Sequence, residues 1–154
     1  MKLSKKTDYA LRALLTLAER WGNGVISIRE LAQKNDVPKR FLEQIMLAIK
    51  EQGWVKGTPG REGGYQLAVN PKELTLGQVV RFFDGVVAPV SCVSVTQYEP
   101  CSQEALCRFR RVLLDVRNYT AQRLDYISLF ELLGTAPVSE QERLNLGFLD
   151  GAGI

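Results

Sequence analysis

The stretch from Ser27 to Val69 constrains this chain more than any other. Ser27-Ile28-Arg29-Glu30 has the form of a capping box, in which a serine hydroxyl and a glutamate carboxylate satisfy each other's free backbone N–H groups. It opens a short helix carrying Ile28, Leu31 and Ala32, which Asn35-Asp36 ends. Pro38 enters the next helix in its first turn, where a missing N–H costs nothing. Leu42, Ile45, Met46 and Ile49 form the buried stripe of that helix, and Gly53 stops it. Two helices joined by three or four residues make a helix-turn-helix pattern. Trp54-Val55-Lys56 and Tyr65 to Val69 then read as strands around the turn-rich Gly57 to Gly64, with Arg61 near the tip. Ahead of all this, Ser4 caps a helix with Tyr9, Ala10, Ala13, Leu14, Leu17, Ala18 and Trp21 at helical spacing. Three helices and a hairpin wing are the layout of a winged helix-turn-helix DNA-binding domain over residues 1–70.

Thr75-Leu76-Gly77-Gln78 is a second capping box, starting a fourth helix through Val79, Val80, Phe82 and Phe83. Residues 86–101 lack periodicity and read as a loop, so 71–101 form a helix and a cysteine-bearing loop. Ser102 is expected to cap a long helix to Leu133, with Gly134 stopping it. About 31 residues at 1.5 Å each span roughly 46 Å, more than a domain of this size needs. One stripe holds Leu106, Phe109, Leu113, Val116, Thr120, Arg123, Ile127 and Phe130; a second holds Val112, Tyr119, Tyr126 and Leu133. One stripe can cover its own domain, and the other asks for a partner, most simply an identical chain. The expected fold is therefore mainly α: winged domain, loop, a dimerisation helix over 102–134 and a loosely ordered tail over 135–154.

Composition narrows the function. None of the 154 residues is histidine, which removes the commonest general base and the commonest neutral metal ligand. No Ser–His or Cys–His catalytic pair can exist in the chain, and no phosphate loop or nucleotide fingerprint is present, so an enzyme is not expected. Residues 1–70 carry a net +5 and residues 71–154 a net −2, so the front half is the one suited to a polyanion. The longest charge-free run, Gly85 to Tyr98, is too short and polar to span a bilayer; with no leader visible, a cytoplasmic protein without membrane contact is expected. Cys92, Cys101 and Cys107 are the only cysteines, an odd number that argues against a disulfide framework and leaves metal, redox or inert roles open.

The opening Met-Lys-Leu-Ser-Lys-Lys-Thr-Asp-Tyr-Ala-Leu-Arg, the later Ile-Arg-Glu-Leu-Ala and Val-Pro-Lys-Arg-Phe-Leu-Glu-Gln-Ile, and the wing Gly-Arg-Glu-Gly-Gly-Tyr-Gln-Leu occur in that order, with three cysteines before the last helix. In this the chain resembles the Rrf2 family of bacterial transcription regulators over about residues 1–133. The resemblance implies a homodimeric repressor that binds palindromic operators in double-stranded DNA. In the cluster-binding branch it implies a redox, nitric oxide or iron sensor whose loop cysteines, here Cys92, Cys101 and Cys107, ligate an iron–sulfur cluster of the 2Fe-2S or 4Fe-4S type. The spacing Cys-x8-Cys-x5-Cys has a longer first gap than several relatives.

Without histidine, a fourth ligand must be a carboxylate, another oxygen donor or a small molecule. One branch of the family uses an aspartate in the first helix of the partner subunit, a position matched here by Asp8, which could instead pair with Arg12. Glu99 and Glu104 are local competitors. Zinc, a metal-free thiol switch, and a cluster-free regulator answering a metabolite or partner protein are the alternatives. For DNA, Lys39 and Arg40 point outward from the recognition helix toward phosphates or guanine edges. Glu43 and Gln44 match DNA-contacting positions of relatives, Arg61 can enter the minor groove, and Gly60, Gly63 and Gly64 would let the wing approach the duplex closely.

Overall fold

The computed structural model describes residues 2–85 and 87–144. Seven helices and one two-stranded sheet follow in the order α1 Lys5–Glu19, α2 Ile28–Lys34, α3 Lys39–Glu51, β1 Val55–Thr58, β2 Gly64–Leu67, α4 Leu76–Asp84, α5 Phe109–Asp125, α6 Leu129–Leu133 and α7 Glu140–Leu144. The helix α1 is the hub. Its alanines Ala10 and Ala13 are fully buried and let neighbours approach closely, so that α1 packs against α2, α3, α4, α6 and β2. Its expected stripe ends one turn early, because Trp21 lies beyond the helix and is largely exposed.

The winged helix-turn-helix is present. Ser27 accepts from the Glu30 N–H at 3.1 Å, but the reciprocal half of the expected box is missing; Glu30 reaches Arg20 instead, at 3.5 Å. In the turn, Asp36 adopts φ 51°, a left-handed conformation that aspartate tolerates better than most residues. Pro38 sits one residue before α3 rather than inside it. In the wing, Val55 pairs with Leu67, and both face the core. Ile26 bridges the free edge of β2, exchanging hydrogen bonds with Tyr65 at 2.9 and 2.8 Å. The folding of the wing itself requires glycine at positions 63 and 64. A Cβ on Gly63 would stand 2.8 Å from the Pro59 carbonyl carbon, and one on Gly64 would stand 2.8 Å from the Ser27 nitrogen.

The capping box at Thr75 and Gln78 is complete and starts α4. The long helix expected over 102–133 is not continuous. Residues 101–106 close into tight turns, with the Glu104 N–H on the Cys101 carbonyl and the Leu106 N–H on the Gln103 carbonyl, both at 3.0 Å. The helix begins only at Phe109, has no side-chain cap, and spans 17 residues, about 25 Å. Its end has a clear cause. Ser128 and Glu131 form a full capping box that starts α6. The Leu76 N–H bonds the Ile127 carbonyl and the Leu129 N–H bonds the Leu74 carbonyl, each at 2.9 Å. Leu129 thereby becomes fully buried, a gain of about 1.5–3 kcal/mol that a straight helix would forfeit. One core runs from Ala10 through Ile49 and Leu74 to Leu129, across the expected boundaries at 70 and 101.

The end of α5 is fastened to α4 by a bidentate ion pair between Arg81 and Asp125, one arm of which measures 2.9 Å. Gly77 makes room for it, since a Cβ there would fall on Asp125 Oδ1. In the same last turn of α4 as Arg81, Asp84 accepts from the Ser4 N–H at 3.0 Å. Partial burial raises the Asp84 pKa, but the bonds from Ser4 and Thr7 outweigh it and leave the carboxyl below its ordinary value. The tail expected from residue 135 contains α7, and residues 145–154 fall outside the described residues.

Candidate functional site

The cysteine loop leaves α4 and returns to α5. A single 3-10 turn over Ser91–Val93 holds Cys92, half-buried; Cys101 is exposed and Cys107 half-buried. All three line one cavity of about 680 Å³, together with Glu99, Glu104 and Leu106. What ties the loop is Arg110, a residue the sequence reading did not single out. Its Nε and Nη2 donate to the Cys92 carbonyl at 3.3 and 2.8 Å, and Nη2 stands 2.9 Å from Glu104 Oε1. One guanidinium in the first turn of α5 thus spans the two ends of the loop. The signal was faint, because an arginine near a helix start reads as an ordinary solvated residue.

Glu104, one of the two local carboxylates expected to compete for the fourth ligand position, forms part of this wall. Its Oε2 accepts from the Tyr98 hydroxyl at 2.8 Å, and that bond raises the Tyr98 pKa above its ordinary value. Its Oε1 is buried and, although within ion-pair reach of Arg110, accepts no aligned hydrogen bond. Asp8 lies elsewhere on its own chain. Arg12 clasps it on α1 with Nε to Oδ1 at 3.0 Å and Nη2 to Oδ2 at 2.8 Å.

The donor set suits an iron–sulfur group chemically, with three soft thiols and a carboxylate oxygen that accepts no aligned hydrogen bond around one cavity. Among the described residues no three Cys, Asp or Glu side chains gather about a single point. A zinc ion would need that gathering, with sulfur at about 2.3 Å. A cluster separates its thiolates, because iron and sulfide intervene, so it asks less of the loop.

The second candidate surface is α3 with the wing. Lys39, Arg40 and Gln44 are exposed and Glu43 is half-buried, while Leu42, Ile45, Met46 and Ile49 face the core. Lys39 and Glu43 form an exposed pair at 3.6 Å, so one basic head of the helix is partly occupied by its own turn. Arg61 is exposed in the wing turn, which Gly60 makes possible with φ 106°. Lys50, in the last turn of α3, lines a groove with Arg61, Pro59 and Tyr65 and extends the basic surface from helix to wing.

The third surface is α5 itself. None of its residues is buried, and Phe109, Val112, Val116 and Tyr119 are exposed, as are Tyr126 and Phe130 beyond. These alternate in steps of three and four, interrupted only by Arg123. The two expected stripes are therefore redistributed. Residues of both share the outward face, and Leu113, Arg117, Thr120 and Leu124 turn inward.

Comparison with known proteins converges on one family. The family model described as Rrf2, iron-dependent transcriptional regulator, matches residues 3–135. An rrf2-like HTH-type transcriptional regulator of Rhodobacter capsulatus is 37% identical over 137 residues, covering 85% of this chain and 91% of that protein. The transcriptional repressor NsrR of Streptomyces coelicolor is 32% identical over 141 residues, covering 90% of this chain and 93% of that one. Among solved structures, CymR, the global cysteine regulator of Bacillus subtilis, superposes with a TM-score of 0.77 at 28% identity, over 89% of this chain and 99% of that one.

Proposed function

This chain belongs to the Rrf2 family of DNA-binding transcription regulators, and on that premise we propose that its cysteine loop holds an iron–sulfur cluster whose state sets how a homodimer grips its operator. Like the family, it is a regulator and not an enzyme. The observation that carries the proposal is that Cys92, Cys101 and Cys107 line one cavity from separate points along a loop. These thiolates would hold the cluster, which when bound supplies iron reactive toward nitric oxide, oxygen or other small molecules. In the family pattern, Asp8 of a second copy would reach the same cavity, leaving Arg12 to do so.

The chain's own residues provide the rest. Arg110 links the Cys92 turn to α5, the Arg81–Asp125 pair links α5 to α4, and α4 packs on α1, which packs on α3. A displacement of the loop is passed through elements that pack as solid bodies to Lys39, Arg40, Glu43 and Gln44 on the recognition helix. The exposed apolar face of α5 pairs two copies about a two-fold axis, which sets the spacing of two recognition helices on a palindrome of double-stranded DNA. Arg61 of each wing enters the flanking minor groove. Anaerobic purification, with iron and sulfide content and the visible spectrum, tests the cofactor. Fluorescence anisotropy with labelled operator, for loaded and cluster-free dimers, tests the switch, and equal affinities would reject it.

One observation favours a second reading. The donor side chains are not gathered about one point, and the fold closely matches CymR, a cysteine regulator. A cluster-free regulator that answers a metabolite or partner protein would give colourless protein lacking iron and sulfide.

A further inference from the structure

Resting on the cluster reading above, we infer that the fourth protein ligand is Glu104 of the same chain, not a residue borrowed from a second subunit, and that Arg110 positions it. The first ground is spacing. Cys101, Glu104 and Cys107 stand three residues apart, so the segment reads Cys-x2-Glu-x2-Cys. The run Cys-x2-Cys-x2-Cys wraps three donors around one cubane in bacterial ferredoxins, because successive tight turns aim every third side chain inward. Here the Glu104 N–H bonds the Cys101 carbonyl and the Leu106 N–H bonds the Gln103 carbonyl, which gives that tight-turn backbone. The middle donor is a carboxylate in place of a thiolate.

The second ground is the state of the carboxylate. Glu104 is about four-fifths buried, on the cavity wall shared by all three cysteines. Its Oε2 is taken by Tyr98, whereas the buried Oε1 receives no aligned hydrogen bond. Among the described residues, the only group that meets Oε1 is the Arg110 charge at 2.9 Å, without an aligned hydrogen bond, so its lone pairs remain available to a metal ion. Arg110 holds the group in place, and the same guanidinium grips the Cys92 carbonyl, so it fixes the third cysteine relative to Glu104. Ligating carboxylates are held in place by such outer partners. Asp8 is clasped through both oxygens by Arg12 on its own helix and does not line this cavity.

The test uses the full chain, loaded anaerobically, and follows loss of the visible absorbance after addition of an iron chelator. Glu104→Gln keeps shape and removes charge. It is expected to speed bleaching at least about tenfold, while Asp8→Asn leaves the rate within about twofold of the original. Glu104→Cys completes the three-thiolate run and is expected to slow bleaching and to move the absorption envelope, a gain that misfolding cannot mimic. Arg110→Gln is expected to accelerate bleaching and, in metal-free protein, to raise the rate at which a thiol reagent labels Cys92 when Cys101 and Cys107 are serine. If Asp8→Asn bleaches quickly and Glu104→Gln does not, the inference is overturned in favour of the second subunit. If neither variant changes the rate, or Glu104→Cys leaves the spectrum as it was, it is overturned outright. An original chain that takes up no iron or sulfide overturns the cluster reading itself, and this inference with it.

Discussion

Replacing Gly77 by alanine tests the contact on which the proposed coupling of loop and recognition helix depends. The position is inside α4, where alanine is intrinsically better than glycine by about 0.5–1 kcal/mol. Propensity alone therefore predicts a more stable protein. The structure predicts the reverse. The added methyl would fall on Asp125 Oδ1, 3.0 Å from Arg81 Nη1 and 3.1 Å from the Leu124 carbonyl carbon. The carboxylate can swing away, at the loss of an ion pair worth at most about 1 kcal/mol, since its two side chains are 35% and 44% exposed. The Leu124 backbone cannot swing, and forcing α5 outward is an overpacking cost of about 1–3 kcal/mol. The sum is a net loss of about 1–2 kcal/mol, or a fall in Tm of a few degrees at fixed protein concentration. The companion Asp125→Ala removes the movable obstacle. The double variant should then lose less than the two single losses added together, by about 0.5 kcal/mol or more. Thermal unfolding followed by circular dichroism measures all three. A Gly77→Ala protein that melts at or above the original temperature would refute the close approach of α5 to α4.

Other expectations follow from the same geometry. Lys39→Ala, Arg40→Ala and Arg61→Ala should each weaken operator binding and reduce the slope of log affinity against log salt by about one. Glu43→Gln frees Lys39 from its 3.6 Å pair and removes a phosphate-repelling charge, so binding to unrelated DNA should tighten in a gel-shift titration. Val116→Glu introduces a charge into the exposed apolar face of α5 and should shift the sedimentation coefficient toward that of a monomer. Asp84 has a folded pKa below its ordinary 3.8, so its stabilising effect is complete above that pH and is lost as the pH falls toward the folded value. The gap in urea midpoint between the original chain and Asp84→Asn should accordingly close in that acid range.

Much of the fold is written in local grammar. The Thr75 and Gln78 box, the apolar stripe of α3 and the glycine-rich wing turn each specify an element within a few residues, and each is found. Ser128-Leu129-Phe130-Glu131 uses the same grammar as Thr75 to Gln78, yet the apolar repeat across 106–133 masks it. The deciding term there is the burial of Leu129 against residues far away in the sequence, which no local pattern reports. The site divides in the same way. Three cysteines in a loop are visible at once, and so are the outward Lys39 and Arg40 of α3. Glu104 stands out beside them as a candidate ligand, but Arg110 matters only because the loop folds back across the start of α5, and a charged side chain there carries no mark of that.

The return of residues 127–129 to the Leu74 segment has a practical corollary. The DNA-reading end is not a severable module with a handle attached. A chain cut after Asn70 would forfeit Leu74, Val79 and Leu129 together, opening a hole beside α1 that water would enter. Whatever tugs on the far helix therefore tugs on a keystone of the domain that touches the promoter.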